Sequence, residues 1–304
     1  MALSHDPLWP RAGSWPAVDG EADAVLLGVP TWRTSLSPTG AHATPAAIRE
    51  ALPRYGTTVL GPPIVDLGEI LRIADAGDIA EPDGDEGEAE TIARVRELSE
   101  DARLVIALGG DNSLTYPVAL GSRATGLITF DAHFDLRDGV SNGTPVRRLV
   151  EDTPKGSTVD TTRIDPSRVV QIGIADFANS AAYARRAAEW GIRVITLDEV
   201  RRRGAADVVV EALEIAGSGD AARVHLDIDV DVCDRSVAPG CPASVPGGLA
   251  AWELRALTRA VAADDRVVSA DLAEVDATAD AEDGRTVRLA ALCVLELLAG
   301  LASR

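Results

Sequence analysis

The chain has 304 residues, with 29 Lys or Arg against 48 Asp or Glu, which gives a formal charge of −19. Phosphate backbones and anionic membrane surfaces repel a chain this acidic, so nucleic acid and membrane partners are excluded. Hydrophobic residues make up 46% of the chain, enough to bury a full core, and we predict a globular protein.

The cysteine content and the start of the chain indicate a cytoplasmic location. The three cysteines cannot all pair with one another, and none lies in a C-x-x-C pair, so a reducing compartment suits them. Residues 1–11 contain no apolar run after a basic stretch. No other segment approaches the roughly 20 apolar residues that a membrane span needs.

Short apolar runs alternate with longer segments of helical period along the chain. Eight strands are predicted, at 24–29, 64–67, 104–108, 126–130, 169–174, 193–196, 223–230 and 267–274. Seven helices are predicted, at 45–52, 88–101, 113–120, 180–190, 205–216, 251–262 and 285–301. This alternation is typical of a parallel sheet with helices on its faces. Since no linker interrupts it, we predict a single α/β domain over 1–304.

Two segments stand outside this alternation. Residues 1–20 hold Trp9 and Trp15 among prolines and glycines, and we expect this N-terminal extension to wrap the surface or to contact a neighbouring subunit. The acidic stretch 75–90 is predicted as a solvated loop that leads into a helix.

Carboxylates alternate with apolar residues in the predicted strand 223–230. Residues 224–231 read Val-His-Leu-Asp-Ile-Asp-Val-Asp, so His225 and three aspartates project to one side of a strand. Carboxylates packed together repel one another unless a cation lies between them. An edge strand with one wet face is the alternative interpretation of this segment.

A second acidic cluster follows the predicted strand 126–130. Asp131, His133 and Asp135 alternate there, at the carboxyl end of a strand, where open α/β sheets build their sites. Carboxylate oxygens with a single imidazole suit a Mn²⁺-like ion better than Zn²⁺. Together the two clusters predict a metal site.

Two more predicted strands end in polar residues. The run Gly-Gly-Asp-Asn-Ser at 109–113 follows the strand 104–108, and Glu274 ends the strand 267–274. The paired glycines permit a tight turn but lack the spacing and the lysine of a phosphate-binding loop. Four strand ends are therefore expected to face one cleft.

These motifs, in this order, resemble those of the ureohydrolase family, which includes arginases and agmatinases. The similarity extends over about 24–301 and rests on the runs 109–113, 131–135, 229–231 and 274–276. Within the family the sequence is most similar to the formimidoylglutamase branch, through Arg137 and the runs 141–145, 176–180, 238–242 and 246–248. The resemblance implies a three-layer α/β/α sandwich with a parallel eight-stranded sheet.

The resemblance also implies a centre of two Mn²⁺ ions per subunit. In such a centre Asp131 and Asp229 would bridge the ions. His133 and Asp231 would complete the site of one ion, and Asp135 would bind the other.

Two asparagines depart from the pattern of most relatives. Asn112 occupies the position of a histidine ligand, and an amide oxygen is a weaker partner for Mn²⁺, so the ion beside it is expected to be weakly bound or absent. Asn142 stands where arginases have a histidine, which argues against arginase activity.

By the same resemblance, metal-activated hydroxide would attack an amidine carbon, Asp135 would relay a proton, and Glu274 would hold the cationic C–N group. The expected substrate-binding residues are Arg137, Asn142, Thr144, Asp176 and Glu274. N-formimidoyl-L-glutamate carries two carboxylates, for which Arg137 is the candidate partner. Arg137 could equally be a surface ion-pair residue.

The predicted function is Mn²⁺-dependent hydrolysis of N-formimidoyl-L-glutamate to L-glutamate and formamide, a step of histidine degradation. One alternative is an amidinohydrolase that acts on a guanidino compound such as arginine, N-hydroxyarginine or agmatine. Another is a metal-poor relative without catalysis, which only Asn112 suggests. The implied partners are a small-molecule substrate and further copies of the chain, in a homo-oligomer that is a trimer or a hexamer.

Overall fold

The apolar runs of the sequence build a central parallel sheet in the computed structural model, which describes residues 6–151 and 163–304. The strands are β1 (Ala22–Val29), β2 (Thr58–Leu60), β3 (Ile64–Asp66), β4 (Ile73–Asp78), β5 (Ala102–Gly109), β6 (Gly126–Phe130), β7 (Val169–Ile174), β8 (Arg193–Thr196), β9 (Val224–Asp229) and β10 (Val267–Ala273). The α-helices are α1 (Thr44–Ala51), α2 (Leu67–Ile70), α3 (Gly84–Asp101), α4 (Thr115–Gly121), α5 (Pro145–Glu151), α6 (Ala181–Trp190), α7 (Leu197–Arg203), α8 (Ala205–Ala216), α9 (Ala251–Ala262) and α10 (Arg285–Leu301).

Eight of these strands form one sheet in the order β4-β1-β5-β10-β9-β6-β7-β8, and every pairing in it is parallel. Helices flank the sheet, so the predicted α/β/α sandwich is confirmed. Strands β5, β10, β9 and β6 are neighbours at its centre. Because parallel strands end at the same edge, the polar residues that follow these four strands meet there.

The eighth strand differs from the sequence prediction. The predicted strand 64–67 is not part of the main sheet, because β3 pairs with β2 in a separate antiparallel pair. The eighth strand is instead β4, which overlaps the start of the stretch 75–90 predicted as a loop, and α3 begins inside that stretch. At the sheet edge β4 carries the half-exposed Asp75 and Asp78, which pair with Arg49, instead of an apolar run.

Residues 6–20 of the predicted N-terminal extension lie partly along the open edge of β4. The Asp75 backbone N–H donates to the Pro16 carbonyl at 2.8 Å, and Ala17 pairs with Asp75 in a parallel bridge. Ala12 is buried and Trp15 packs against the main hydrophobic core. The segment thus covers part of a strand edge that would otherwise present unpaired backbone groups.

The two faces of β9 are chemically different. Leu226 and Ile228 point into the apolar core that α8, α9 and α10 cover. His225, Asp227 and Asp229 point to the opposite face and are also buried. Since β9 lies between β10 and β6, the alternative of a wet edge strand is wrong, and the period-two placement of the carboxylates is confirmed.

Helix α10 packs against α9 and α1 and is buried along most of its length. The three cysteines are unpaired and buried within this part of the fold. None of the helices within residues 6–151 and 163–304 combines the length and the apolar character needed to cross a membrane.

Candidate metal centre and catalytic cleft

The ends of β6 and β9 bring two carboxylates and an imidazole together. His133 Nδ1 lies 3.1 Å from Asp231 Oδ2 and 3.4 Å from Asp131 Oδ1. One ligand atom from each of the three residues lies within 4.8 Å of the others. Both carboxylates are buried and the imidazole is partly exposed, so His133 is the most exposed of the three side chains. Three such donors at this separation can share one metal ion.

In each acidic run, the first carboxylate accepts a hydrogen bond from the backbone N–H two residues later. Asp131 Oδ1 accepts a hydrogen bond from the His133 backbone N–H at 2.6 Å. Asp229 Oδ1 accepts one from the Asp231 backbone N–H at 2.9 Å and caps a short 3₁₀ turn, Val230–Val232. The local turns therefore fix the direction of the ligands that follow.

Asn112 connects the acidic runs to the end of β10. Its side-chain Nδ2 donates to Asp135 Oδ2 at 2.8 Å, and its backbone N–H donates to Glu274 Oε1 at 2.8 Å. Its Oδ1 accepts a hydrogen bond from Thr115 Oγ1 at 2.6 Å. Asp135 and Glu274 have positive φ angles of 51° and 63°, which are uncommon outside glycine and are typical of functional sites.

Burial and mutual repulsion raise the proton affinity of the cluster. Burial, with the neighbouring Asp131, raises the pKa of Asp135 well above its usual range, and burial with Asp231 does the same for the pKa of Asp229. Burial raises the pKa of Asp131 to about 6. Burial disfavours the charged form of His133, but Asp231 and Asp131 outweigh this effect and raise its pKa to about 12. The carboxylates therefore attract positive charge, which a divalent cation could supply instead of protons.

Glu274 is held by two donors at the same oxygen. The Asn142 side-chain Nδ2 donates to Glu274 Oε1 at 2.9 Å, beside the bond from the Asn112 backbone. Burial and the nearby Asp111 raise the pKa of Glu274 to about 8. The Asn142 Oδ1 in turn accepts the Leu36 backbone N–H at 3.0 Å, so this amide joins Glu274 to the loop between β1 and α1.

A cleft of about 340 Å³ opens above the cluster. Its lining includes the predicted site residues His133, Asp135, Arg137, Asn142, Asp229, Asp231 and Glu274. Asp131 and Asn112 lie behind this lining and contact it through His133 and Asp135. Seven residues from four separate runs of the sequence therefore line one cleft.

Two predicted substrate-binding residues are not brought to this cleft. Thr144 is buried, and its Oγ1 donates to the Ser141 carbonyl at 2.7 Å, so it closes the turn that carries Asn142. Asp176 is exposed and lines a separate cleft of about 270 Å³, together with Phe177 and Arg201. The run 176–180 contributes to the main cleft through its last three residues instead.

Sequence reasoning missed several residues of the cleft. They are Leu36, Ser37, Ala178, Asn179, Ser180, Tyr183 and Ala243. Asn179 donates from Nδ2 to the Ala132 carbonyl at 2.8 Å and accepts the Phe134 backbone N–H at 3.0 Å, so it fixes the run 131–135. The run 176–180, which contains Asn179, is one of those that resemble the formimidoylglutamase branch, whereas no sequence pattern marks Leu36 or Ala243.

A buried polar group lies below the cluster on the same face of the sheet. His225 Nε2 lies 3.0 Å from Asp271 Oδ2, and His225 Nδ1 lies 2.8 Å from Ser269 Oγ. Asp227 is next to Asp271 across β9 and β10, and burial raises the pKa of Asp227 well above its usual range. These residues line no part of the cleft.

Comparisons with known proteins agree with this architecture. A profile of the Arginase family matches residues 22–300. The formimidoylglutamase of Bacillus subtilis (strain 168) is 33% identical over 305 residues, which cover 95% of this chain and 90% of that protein. Its crystal structure superposes with a TM-score of 0.87 at 31% identity, covering 99% of this chain and 94% of the other.

A second solved structure is that of Trypanosoma cruzi formiminoglutamase with two Mn²⁺ ions. It superposes with a TM-score of 0.84 at 27% identity, and the match covers 97% of this chain and 99% of the other. The family profile spans both acidic runs and the end of β10. The chain therefore belongs to the arginase family and is a hydrolase of amidino or guanidino compounds.

Proposed function

We propose that this protein hydrolyses N-formimidoyl-L-glutamate to L-glutamate and formamide in a Mn²⁺-dependent reaction of histidine degradation. The observation that carries the proposal is the composition of the cleft, which combines a floor of carboxylates and His133 with a cation, Arg137, on its wall. A substrate that fits has a cationic amidine at one end and carboxylate at the other. N-formimidoyl-L-glutamate has both.

The donor set suits manganese. Four aspartates, one imidazole and one amide are mostly hard oxygen ligands, and no thiolate is among them. Asp131 Oδ2 is buried and has no hydrogen-bond partner among the described residues, which is costly unless a cation or proton satisfies it. The residues that would hold two ions are Asn112, Asp131, His133, Asp135, Asp229 and Asp231. Bound Mn²⁺ would supply a hydroxide nucleophile from water near neutral pH.

Glu274 and Asp135, which both accept hydrogen bonds from Asn112, would act on the substrate. Glu274 uses Oε1 to accept two hydrogen bonds, which leaves Oε2 to bind the cationic C–N group. The Asp135 carboxylate is held by Asn112 at the cleft surface, where it can accept a proton and pass it to the departing amine. The reaction adds water across the amidine carbon and breaks its bond to the glutamate nitrogen, which leaves as the amine.

Arg137 would bind a carboxylate of the glutamate half. Among the described residues, no Asp or Glu lies within ion-pair distance of its guanidinium, although four carboxylates line the same cleft. An unpaired arginine on a cleft wall can pair with a ligand carboxylate through two parallel hydrogen bonds. This supports a carboxylate-bearing substrate over agmatine, whose far end is cationic.

The test is a product assay. Purified protein reconstituted with Mn²⁺ is incubated with N-formimidoyl-L-glutamate, arginine, N-hydroxyarginine and agmatine, and formamide, urea and hydroxyurea are measured. Release of formamide from the first substrate alone is expected. Urea or hydroxyurea from a guanidino compound would replace the proposal with the alternative amidinohydrolase, and no turnover with full metal loading would favour the non-catalytic relative.

Three further predictions belong with this function. We expect the chain to form a homo-oligomer, a trimer or a hexamer, and to lie in the cytoplasm. We also expect residues 1–304 to behave as a single domain. Native mass measurement and cell fractionation test the first two, and a single cooperative unfolding transition tests the third.

A further inference from the structure

We infer that Gly143 is a specificity-determining residue, because its missing side chain leaves the space in which the Arg137 side chain lies along the cleft wall. In this arrangement Gly143 acts only through Arg137. The inference rests on the proposed function in one respect, namely that Arg137 binds a carboxylate of the substrate.

The contact is close. A Cβ atom placed on Gly143 would lie 2.8 Å from Arg137 Cδ and 3.2 Å from Arg137 Nε. It would also lie 3.2 Å from Leu36 Cδ1. Real Cβ atoms essentially never approach another heavy atom closer than 3.0 Å. An alanine at 143 must therefore displace the Arg137 side chain, which is the flexible partner in the contact.

The backbone of Gly143 does not itself require glycine. Its φ is not in the left-handed region, in contrast to that of Gly139 in the same loop, where φ is 89°. Substitution by alanine at 143 therefore adds a methyl group without adding backbone strain. Any effect on function is then attributable to the displaced Arg137 side chain.

The backbones on both sides of the contact are held in place. The Arg137 backbone N–H donates to the Gly143 carbonyl at 3.0 Å. Arg147 Nε donates to the Arg137 carbonyl at 2.7 Å, and Arg147 Nη2 donates to the Gly139 carbonyl at 2.6 Å. Since the two segments cannot separate without breaking these bonds, the side chain of Arg137 is the part that moves.

The position of this side chain matters because of the charges around it. Among the described residues that line the cleft, Arg137 is the one side chain with a permanent positive charge, and the carboxylates of Asp135, Asp229, Asp231 and Glu274 lie in the same lining. A ligand carboxylate at this wall can therefore pair with the guanidinium of Arg137 only while that side chain keeps its position. Gly143 therefore sets how well an anionic substrate is bound, through the position of the Arg137 side chain.

The experiment is a double-mutant cycle on the Mn²⁺-loaded full chain with Gly143→Ala, Arg137→Ala and the pair. KM and kcat are measured for N-formimidoyl-L-glutamate and for the formimidoyl derivative of propylamine, which keeps the amidine and lacks both carboxylates. Binding of L-glutamate is measured separately by calorimetry. Gly61→Ala is the matched control, because a Cβ there has no neighbour closer than 3.9 Å.

We expect Gly143→Ala to raise the KM for the dicarboxylate, and the dissociation constant of L-glutamate, by about tenfold or more, as for loss of a charge-assisted hydrogen bond. The kcat/KM for the propylamine derivative should stay within about twofold. In the Arg137→Ala background the added methyl should have no further effect, and Gly61→Ala should change nothing.

Equal losses on both substrates, or additive effects of the two substitutions, would overturn the inference. Failure of the wild type to release formamide would overturn the proposed function instead, and the cycle would then be read from L-glutamate binding alone. If the wild type neither turns over the dicarboxylate nor binds L-glutamate, both the inference about Gly143 and the proposed function are overturned.

Discussion

The Asn112 side chain donates a hydrogen bond to the Asp135 carboxylate at 2.8 Å, and its own oxygen accepts one from Thr115. One of the two lone pairs of the amide oxygen, which is the atom that could bind a cation, is thus already used by a neighbour. The amide in this arrangement positions Asp135, and as a metal ligand it is weak. The number of Mn²⁺ ions that the protein retains should therefore depend on the residue at position 112.

Asn112→His should increase metal retention. An imidazole at this position adds a nitrogen donor in place of a weak amide oxygen, so the second ion should bind about tenfold or more tightly. Elemental analysis of both proteins after dialysis against a weak chelator measures the change, with more Mn²⁺ per chain expected in the variant. Equal Mn²⁺ contents would contradict the assignment of Asn112 to the metal cluster.

Asp131→Asn should have opposite effects on the metal-free and the metal-loaded protein. The amide oxygen can still accept the His133 backbone N–H, so the turn is kept while one buried charge is removed. The melting temperature without metal should rise, because the carboxylates then repel one another less. The increase in melting temperature that Mn²⁺ causes should become much smaller, and activity should fall about 100-fold or more.

Thermal unfolding with and without Mn²⁺ measures both effects for Asp131→Asn. Asp75→Asn is the control for loss of a carboxylate outside the cluster: it removes the ion pair with Arg49, so it should lower the melting temperature by the same amount with and without Mn²⁺. A variant that lost stability under both conditions would indicate a purely structural role for Asp131.

The metal-free protein should lose stability as the pH rises. The pKa values of Asp131, Glu274 and His133 in the folded chain are about 6, about 8 and about 12, against ordinary values of 3.8, 4.5 and 6.5. Between each pair of values the folded state holds more protons than the unfolded state, so raising the pH favours unfolding. The windows of Asp131 and Glu274 overlap between 4.5 and about 6, and those of Glu274 and His133 between 6.5 and about 8, so the decline should be clear from about pH 5 to pH 8.

Melting temperatures of the metal-free protein, measured at intervals between pH 5 and pH 8, test whether its stability falls as the pH rises. Mn²⁺ replaces protons on Asp131 and His133, so the gap between loaded and metal-free melting temperatures should widen with pH. A metal-free protein that became more stable from pH 5 to pH 8 would show that these groups do not repel one another in the folded chain.

The parts of the site that could be predicted from the sequence are those encoded locally. Carboxylates at alternate positions, directly after apolar runs, placed Asp131, His133 and Asp231 at the ends of β6 and β9, and the parallel sheet brings those ends together. The metal-type grouping of these three residues follows from the periodicity, which the sequence displays, and from the adjacency of β6 and β9, which the structure shows.

The parts that could not be predicted depend on contacts between distant segments. Leu36 joins the cleft through a hydrogen bond to a residue 106 positions away, and no local pattern encodes that contact. The strand β4 was missed because an edge strand needs only one buried side, so ion pairs with Arg49 replace apolar residues there. For Thr144, residue type alone did not distinguish a hydroxyl that closes a turn from one that faces a ligand.

Glu274→Gln should separate substrate binding from the metal cluster. The amide oxygen of glutamine can still accept the bonds from the Asn112 backbone and Asn142, so the loop geometry is kept while the charge is lost. The cationic amidine then loses its partner, and kcat/KM should fall about 100-fold through an increase in KM, with Mn²⁺ content unchanged. The same variant should flatten the decline of metal-free stability below about pH 8, since one titrating group has been removed. Steady-state kinetics, elemental analysis and melting curves on one preparation measure all three. If Mn²⁺ content fell together with activity, Glu274 would belong to the metal ligands and its assignment to the substrate would be wrong.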